Sequence, residues 1–138
     1  MKISSLSQLE GFNQKQLDAL FRKGNAKDFP NGDTDGKVLL QPFLIKFLGE
    51  VIWQGKTFDL KKMRLSNRFL GLHFIYGKLK KGKSLFDKKS VLLIDYRGSS
   101  KIAGDVVDEL REVGKGIFLG RAYKKGRFFA SFALSERK

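Results

Sequence analysis

From residue 52 onward, apolar and polar positions alternate along the chain. Met63, Leu65, Asn67 and Phe69 interleave with Lys62, Arg64, Ser66 and Arg68, the two-residue period of a strand buried on one face. Leu72, Phe74 and Tyr76 alternate with His73 and Ile75, and 91–96 is a short apolar run of the length of a central strand. Further strands are expected over 52–58, 105–113, 117–123 and 127–134. The last of these places Phe128, Ala130, Phe132 and Leu134 on one face. Gly114-Lys115-Gly116 and Lys124-Lys125-Gly126 supply short hairpin loops. Such connections are too short for parallel crossovers, so the sheet is antiparallel. Closure into a barrel then removes the exposed edges.

The first fifty residues follow a different rhythm. Leu9, Phe12, Leu17, Leu20 and Phe21 form an incomplete apolar stripe at helical spacing. Ser5 or Ser7 can cap the start, Gly11-Phe12-Asn13 breaks the stripe, and a main helix runs from Gln14 to a C-cap at Gly24. That helix is expected to lie across a mouth or a side of the barrel. Residues 25–37, with Pro30-Asn31-Gly32-Asp33, read as a loop. A short strand is expected at Val38–Leu40, stopped by Pro42, and a short helix over 43–51. The expectation is one domain: a helical segment, 1–50, packed on a mainly β, lipocalin-like antiparallel barrel of about seven to eight strands, 51–138.

Composition narrows the chemistry. The 138 residues include no cysteine and one histidine, which leaves no disulfide framework, thiolate nucleophile or histidine-clustered metal site. Asp33, Thr34 and Asp35 lack the spacing of a calcium loop. No metal or cofactor is implied. The N-terminus lacks the apolar stretch of a signal peptide, and no run approaches the ~20 apolar residues of a membrane helix. These features point to a soluble, cytoplasmic protein.

The formal net charge of +14 is the largest departure from average and attracts anionic partners in general. It is densest at Lys78, Lys80, Lys81, Lys83, Lys88 and Lys89, which read as a basic hairpin. Such a hairpin either contacts phosphates of nucleic acid or anionic lipid, or is a solvated turn whose lysines blunt edge pairing.

Polar residues on otherwise apolar strand faces are the other candidates. Asn67 stands on the apolar face of its strand, and Glu109 and Arg111 share a face with Val107 and Val113. If that face points inward, the two charges become contacts for a polar ligand head, because unpaired buried charge is costly. If it points outward, they are a cross-strand ion pair. Trp53, Phe69, Phe74, Phe128 and Phe132 are the expected aromatic lining, with Tyr96 as a further polar contact. In lipocalin-type barrels a Trp near the first strand closes one end by packing on a basic side chain, and Trp53-Gln54-Gly55-Lys56 offers both. His73 could serve as a general base beside Asp95 or Glu109, yet a lone His among apolar residues is more often structural. No G-x-S-x-G elbow surrounds any serine. Catalysis is the least supported class.

Several of these motifs occur together. Phe29-Pro30-Asn31-Gly32-Asp33, Trp53-Gln54-Gly55-Lys56-Thr57-Phe58-Asp59, Asn67-Arg68, Asp95-Tyr96, Asp108-Glu109-Leu110-Arg111-Glu112-Val113 and Gly116-Ile117-Phe118-Leu119-Gly120 follow one another in the chain. In that order they resemble a family of small uncharacterised bacterial proteins with W-Q-G-K-x-F-D, L-D-Y-S-x-T-S and R-D-E-I-R-E-V-x-P-G-L-Y-L-G motifs. The resemblance spans residues 17 to 134, and there is a looser likeness to domains of unknown function with a GXWXG signature. Val107 stands where the family has Arg, Arg97 where it has Ser, and Lys115 where it has Pro. A ligand site built on that Arg in relatives would be altered here. The resemblance implies a common fold and no activity.

The sequence therefore points first to a barrel that binds a small molecule or lipid without catalysis. Trp53, Asn67, His73, Tyr96, Glu109 and Arg111 are its candidate contacts. The alternative is a basic module that binds nucleic acid or anionic membrane through 78–89.

Overall fold

Eight strands, each paired antiparallel with its neighbours, close into a barrel in chain order. The fold is that of a computed structural model, which describes residues 2–39, 53–69, 72–98 and 104–137, the side chains of 72–74 excepted. The elements are α1 (Leu6–Glu10), α2 (Gln14–Lys23), β1 (Gly32–Val38), β2 (Trp53–Asp59), β3 (Arg64–Phe69), β4 (Leu72–Lys83), β5 (Ser90–Asp95), β6 (Val106–Gly114), β7 (Ile117–Lys124) and β8 (Arg127–Glu136). The expected antiparallel barrel and its N-terminal helices are both present. The helix expected over 43–51 lies outside the described residues.

One strand lies where a loop was expected. β1 occupies Gly32–Val38 and closes the barrel, pairing Gly32 and Asp33 with β2 and Thr34 to Val38 with β8. Its alternation is real, with Asp33, Asp35 and Lys37 exposed, but its inward positions are Thr34, Gly36 and Val38. Two of those three are not apolar, so the hydrophobic pattern that marks a strand is missing.

Two apolar layers share the barrel wall. Inside, Phe58, Leu65, Leu79, Leu92, Ile94, Leu110, Phe118, Phe132 and Leu134 form one cluster. Phe29, from the stretch between α2 and β1, joins it against Phe58. Outside, Val91, Ile117, Leu119 and Ala133 are covered by Ile3, Leu9, Leu17 and Phe21. The helices therefore lie on a side of the barrel. Asn13 caps α2, its side chain accepting from the Gln16 amide at 2.8 Å while Gln16 Oε1 accepts from the Asn13 amide at 2.8 Å. Because β5 and β7 are buried on both faces along most of their length, their sequences read as apolar runs instead of clean alternation.

Bulges reset which residues face inward. Ala122 pairs with Ala130 but Tyr123 pairs with Phe128, which leaves Phe129 as the extra residue. Phe129 then packs on the interior cluster. Phe128 is turned outside, 36% exposed, where its ring meets Tyr123. A second bulge lies at Ile75, between the Ser66–Tyr76 and Asn67–Phe74 pairs. There Ile75 has φ 60°, and Tyr76 stands half-exposed outside.

Candidate functional site

Among the described residues the interior is apolar except near one end, where β1 finishes and β2 begins. Strand β2 supplies Trp53 and, across a bulge at Gln54, Lys56. Gly55 at the bulge has φ 142°, and a Cβ there would lie 2.2 Å from the Thr34 carbonyl oxygen, so only glycine fits. Gly36 on β1 leaves the room that the Trp53 ring fills, since a Cβ would come within 2.5 Å of it. Arg68, on the outer side of β3, completes the local backbone. Its guanidinium donates to the carbonyls of Thr34 and Lys56 and to Thr57 Oγ1, filling the gap where β1 leaves β2 for β8.

The Lys56 side chain extends into the barrel. Its Nζ donates to Asn67 Oδ1 at 2.7 Å and to the Tyr96 hydroxyl at 2.6 Å, and lies 3.3 Å from Asp108 Oδ2. Both charged side chains are only 5% exposed. The rings of Trp53, Tyr96 and Phe132 stand 5.2–5.3 Å from the ammonium, within cation–π range. Trp53 Nε1 donates to Asn67 Oδ1 at 3.0 Å, while Asn67 Nδ2 donates to the Tyr96 hydroxyl and the Ile75 carbonyl. Burial pulls the Lys56 ammonium below its ordinary value, opposed by the neighbouring Asp108 carboxylate. Burial likewise raises Asp108, opposed by Lys56. The Tyr96 phenol is pushed well up by burial and by Asp108.

A pocket of about 250 Å³ opens onto this cluster. Its wall is Val38, Trp53, Phe69, Ala122, Phe129, Ala130 and Phe132, and its polar surface is Lys56 and Asp108. The site thus combines an aromatic cavity with a buried cation and anion of zero net charge. It can take up a small, largely apolar molecule and meet one polar atom of it.

Of the sequence candidates, Trp53, Asn67 and Tyr96 meet here, and Phe69 and Phe132 line the pocket. Trp53 does stand over a basic side chain, Lys56. The His73 and Phe74 side chains lie outside the described residues. Glu109 and Arg111 are corrected: β6 turns Asp108 and Leu110 inward and these two outward. They are buried nonetheless, under α2 and the turn between β4 and β5. Ser84 Oγ and the Leu85 amide donate to Glu109 at 2.7 Å, and Arg111 makes a two-bond fork with Asp87. Phe128 is outside for the bulge reason above. Reasoning from sequence placed Lys56 only as the basic side chain against Trp53 and not as a ligand contact, and it did not choose Asp108 at all. The signal of both was a charged residue at an inward position of each strand, hidden by a bulge in β2 and by burial of both faces of β6.

The lysine cluster is split between a strand and a turn. Lys78, Lys80, Lys81 and Lys83 belong to β4, which is barrel wall and not peripheral, with Leu79 buried between them. Lys88 and Lys89 sit in the turn. Lys80 pairs with Asp95 at 2.9 Å, whereas Lys78 stands directly across from Arg64 of β3. Among the described residues, no group of His, Cys, Asp or Glu could hold a metal ion, and no helix is long and apolar enough to cross a membrane.

No protein-family model matches this chain, and no curated protein matches it in sequence. In three dimensions it is similar to a protein of known crystal structure from Thermomonospora curvata. The TM-score is 0.70 at 15% sequence identity, over 96% of this chain and 93% of that one. At that identity the likeness shows the fold alone.

Proposed function

We propose that the protein is a binding barrel for a small, mostly apolar molecule with one polar, uncharged head. The observation that carries this reading is the buried Lys56–Asp108 pair opening onto an aromatic cavity. Polar groups converging on an apolar pocket are the usual anatomy of a small-molecule site. The volume of about 250 Å³ falls below the ~300–1,000 Å³ of drug-sized ligands, which argues for a small ligand over a long lipid. Asp108 already neutralises Lys56, so an anionic head gains little there. Trp53, Lys56, Asn67, Tyr96 and Asp108 also fall within the motifs that carry the bacterial-family resemblance, so relatives sharing those motifs would share the site.

The chain has one tryptophan, and it lines the pocket. Titration with small aromatic alcohols should therefore shift Trp53 emission saturably. Ala130→Leu, which extends a wall residue into the cavity, should weaken binding about tenfold or more while unfolding stays within the ~1–3 kcal/mol of core overpacking. Unchanged affinity in that variant would reject the pocket as the binding site.

A second reading is favoured by the outer wall. Arg64 faces Lys78 in register, and Asp95, across from Lys78 on β5, is shared with Lys80 and Arg97, so cations outnumber anions on this part of the wall and a further anion would be favourable there. The adjacent half-exposed Tyr76 supplies a stacking surface of the kind used for single-stranded nucleic acid. Oligonucleotide affinity should then fall steeply with salt, and Arg64→Ala should flatten that slope by about one phosphate contact. A salt-independent signal would reject this reading.

A further inference from the structure

We propose that Lys56 is a covalent carbonyl-binding site, condensing with a small aldehyde or ketone held in the pocket to form an iminium. The inference rests on the pocket reading and deepens it by naming the ligand class and the bond.

Three observations carry it. Lys56 and Asp108 both line the cavity, which brings a molecule held there next to the buried pair. The Lys56 nitrogen donates to the Tyr96 hydroxyl at 2.6 Å and lies 3.3 Å from Asp108 Oδ2, so a hydroxyl that can relay a proton and a carboxylate that can accept one both stand beside it. The Trp53, Tyr96 and Phe132 rings stand around the nitrogen, and Phe69 and Phe129 add to the apolar lining of the cavity. A purely structural role does not require this set, since a buried ion pair is often replaceable by apolar side chains at little cost. Desolvation of a lysine in an apolar pocket is the usual means of activating its amine. The burial-driven lowering of Lys56 and raising of Asp108 both favour the neutral pair that such a reaction needs.

The step balances without an oxidant or reductant. The Lys56 ammonium first gives a proton to Asp108. The neutral amine attacks the carbonyl carbon, forming the C–N bond as the carbonyl pair moves to oxygen. Tyr96 relays a proton from nitrogen to that oxygen, which leaves a neutral carbinolamine. Asp108 returns its proton to the hydroxyl, which departs as water while the nitrogen lone pair forms the C=N bond. The product is an iminium cation beside a carboxylate anion, so the charge of the site is the same at the start and the end. A neutral carbonyl compound therefore suits the site better than a carboxylate would.

Benzaldehyde is the probe, with cyanoborohydride to fix the iminium as a stable amine and peptide mapping by mass spectrometry to locate it. The expected result is a single adduct on Lys56, formed about tenfold faster than on any exposed lysine despite its burial. Tyr96→Phe should lower the rate of trapping at saturating benzaldehyde about tenfold while the half-saturating benzaldehyde concentration changes far less, a split that a merely structural hydroxyl would not produce. Labelling spread over surface lysines with Lys56 unmodified, while benzyl alcohol still binds, would overturn the covalent step and leave the pocket reading standing. Failure of both probes would overturn the two together. The wild-type map decides the matter even if Lys56→Met does not fold.

Discussion

Asp108→Ala is expected to destabilise the barrel by about 3–5 kcal/mol, the usual cost of stripping one partner from a buried ion pair. The reason is local. Lys56 is 5% exposed and its ammonium stands 3.3 Å from the Asp108 carboxylate. Without Asp108 the cation keeps Asn67, Tyr96 and three ring faces, which are dipoles and quadrupoles in place of a full charge. Lys56 must then either remain charged in an apolar interior or give up its proton, and both states raise the energy of the folded chain. The double variant Lys56→Met with Asp108→Leu is expected to recover most of the loss, because the pair's attraction only partly offsets its desolvation. Urea unfolding of the wild type, both single variants and the double variant forms a closed cycle, and a strong coupling between the two positions is the expected outcome. Additive single effects would show that the two side chains do not act as a pair.

The double variant also separates stability from function. A barrel that needs Lys56 and Asp108 only to fold would still bind small alcohols when both are apolar. A barrel that uses them to receive a ligand head would fold and lose binding. Trp53 emission reads both properties in one sample.

Much of this arrangement could be read from the chain, and the parts that could not have a shared cause. Strands β2 to β8 announced themselves through alternation or through compact apolar runs bounded by glycine turns. Gln14–Lys23 did so through helical spacing and Asn13. β1 escaped because a barrel built around a large Trp53 ring needs Gly36 beneath it, and glycine carries no hydrophobic signal. Facing was harder than pairing. Each bulge shifts the phase by one residue, which exchanged the roles of Phe128 and Phe129 and placed Lys56 inward. On β6 both faces are buried, one by the barrel core and one by α2. Period two could not tell Asp108 from Glu109 there. Asn67 and Tyr96 were found because they interrupt apolar faces undisturbed by a bulge on their inward side. The site was therefore half legible: its neutral polar members were visible, Lys56 was seen only as the basic side chain beneath Trp53, and Asp108 was not seen.

Arg111→Ala is expected to cost a similar ~3–5 kcal/mol, but through the outer layer. Arg111 is 2% exposed and ties three parts of the chain together. Its Nη1 and Nη2 donate to Asp87 at 2.7 and 2.8 Å, Nε donates to the Ser90 carbonyl at 3.1 Å, and Nη1 also reaches the Phe21 carbonyl at 3.2 Å. The guanidinium carbon lies 4.5 Å above the Phe21 ring. Its loss leaves a carboxylate without its cation and the last turn of α2 without its clasp. Arg111→Lys should rescue little, since an ammonium cannot make the planar fork. The pH dependence identifies the mechanism. The hydrogen bonds from Arg111 hold Asp87 down at about 2, from an ordinary 3.8. A carboxylate lowered in the folded state contributes its full stability above 3.8 and loses it as the pH falls through about 2. The wild type should therefore lose stability between those values, and Arg111→Ala should lose less over the same interval because Asp87 returns towards its ordinary value. Urea midpoints measured across that range test the claim, and parallel curves for the two proteins would refute it.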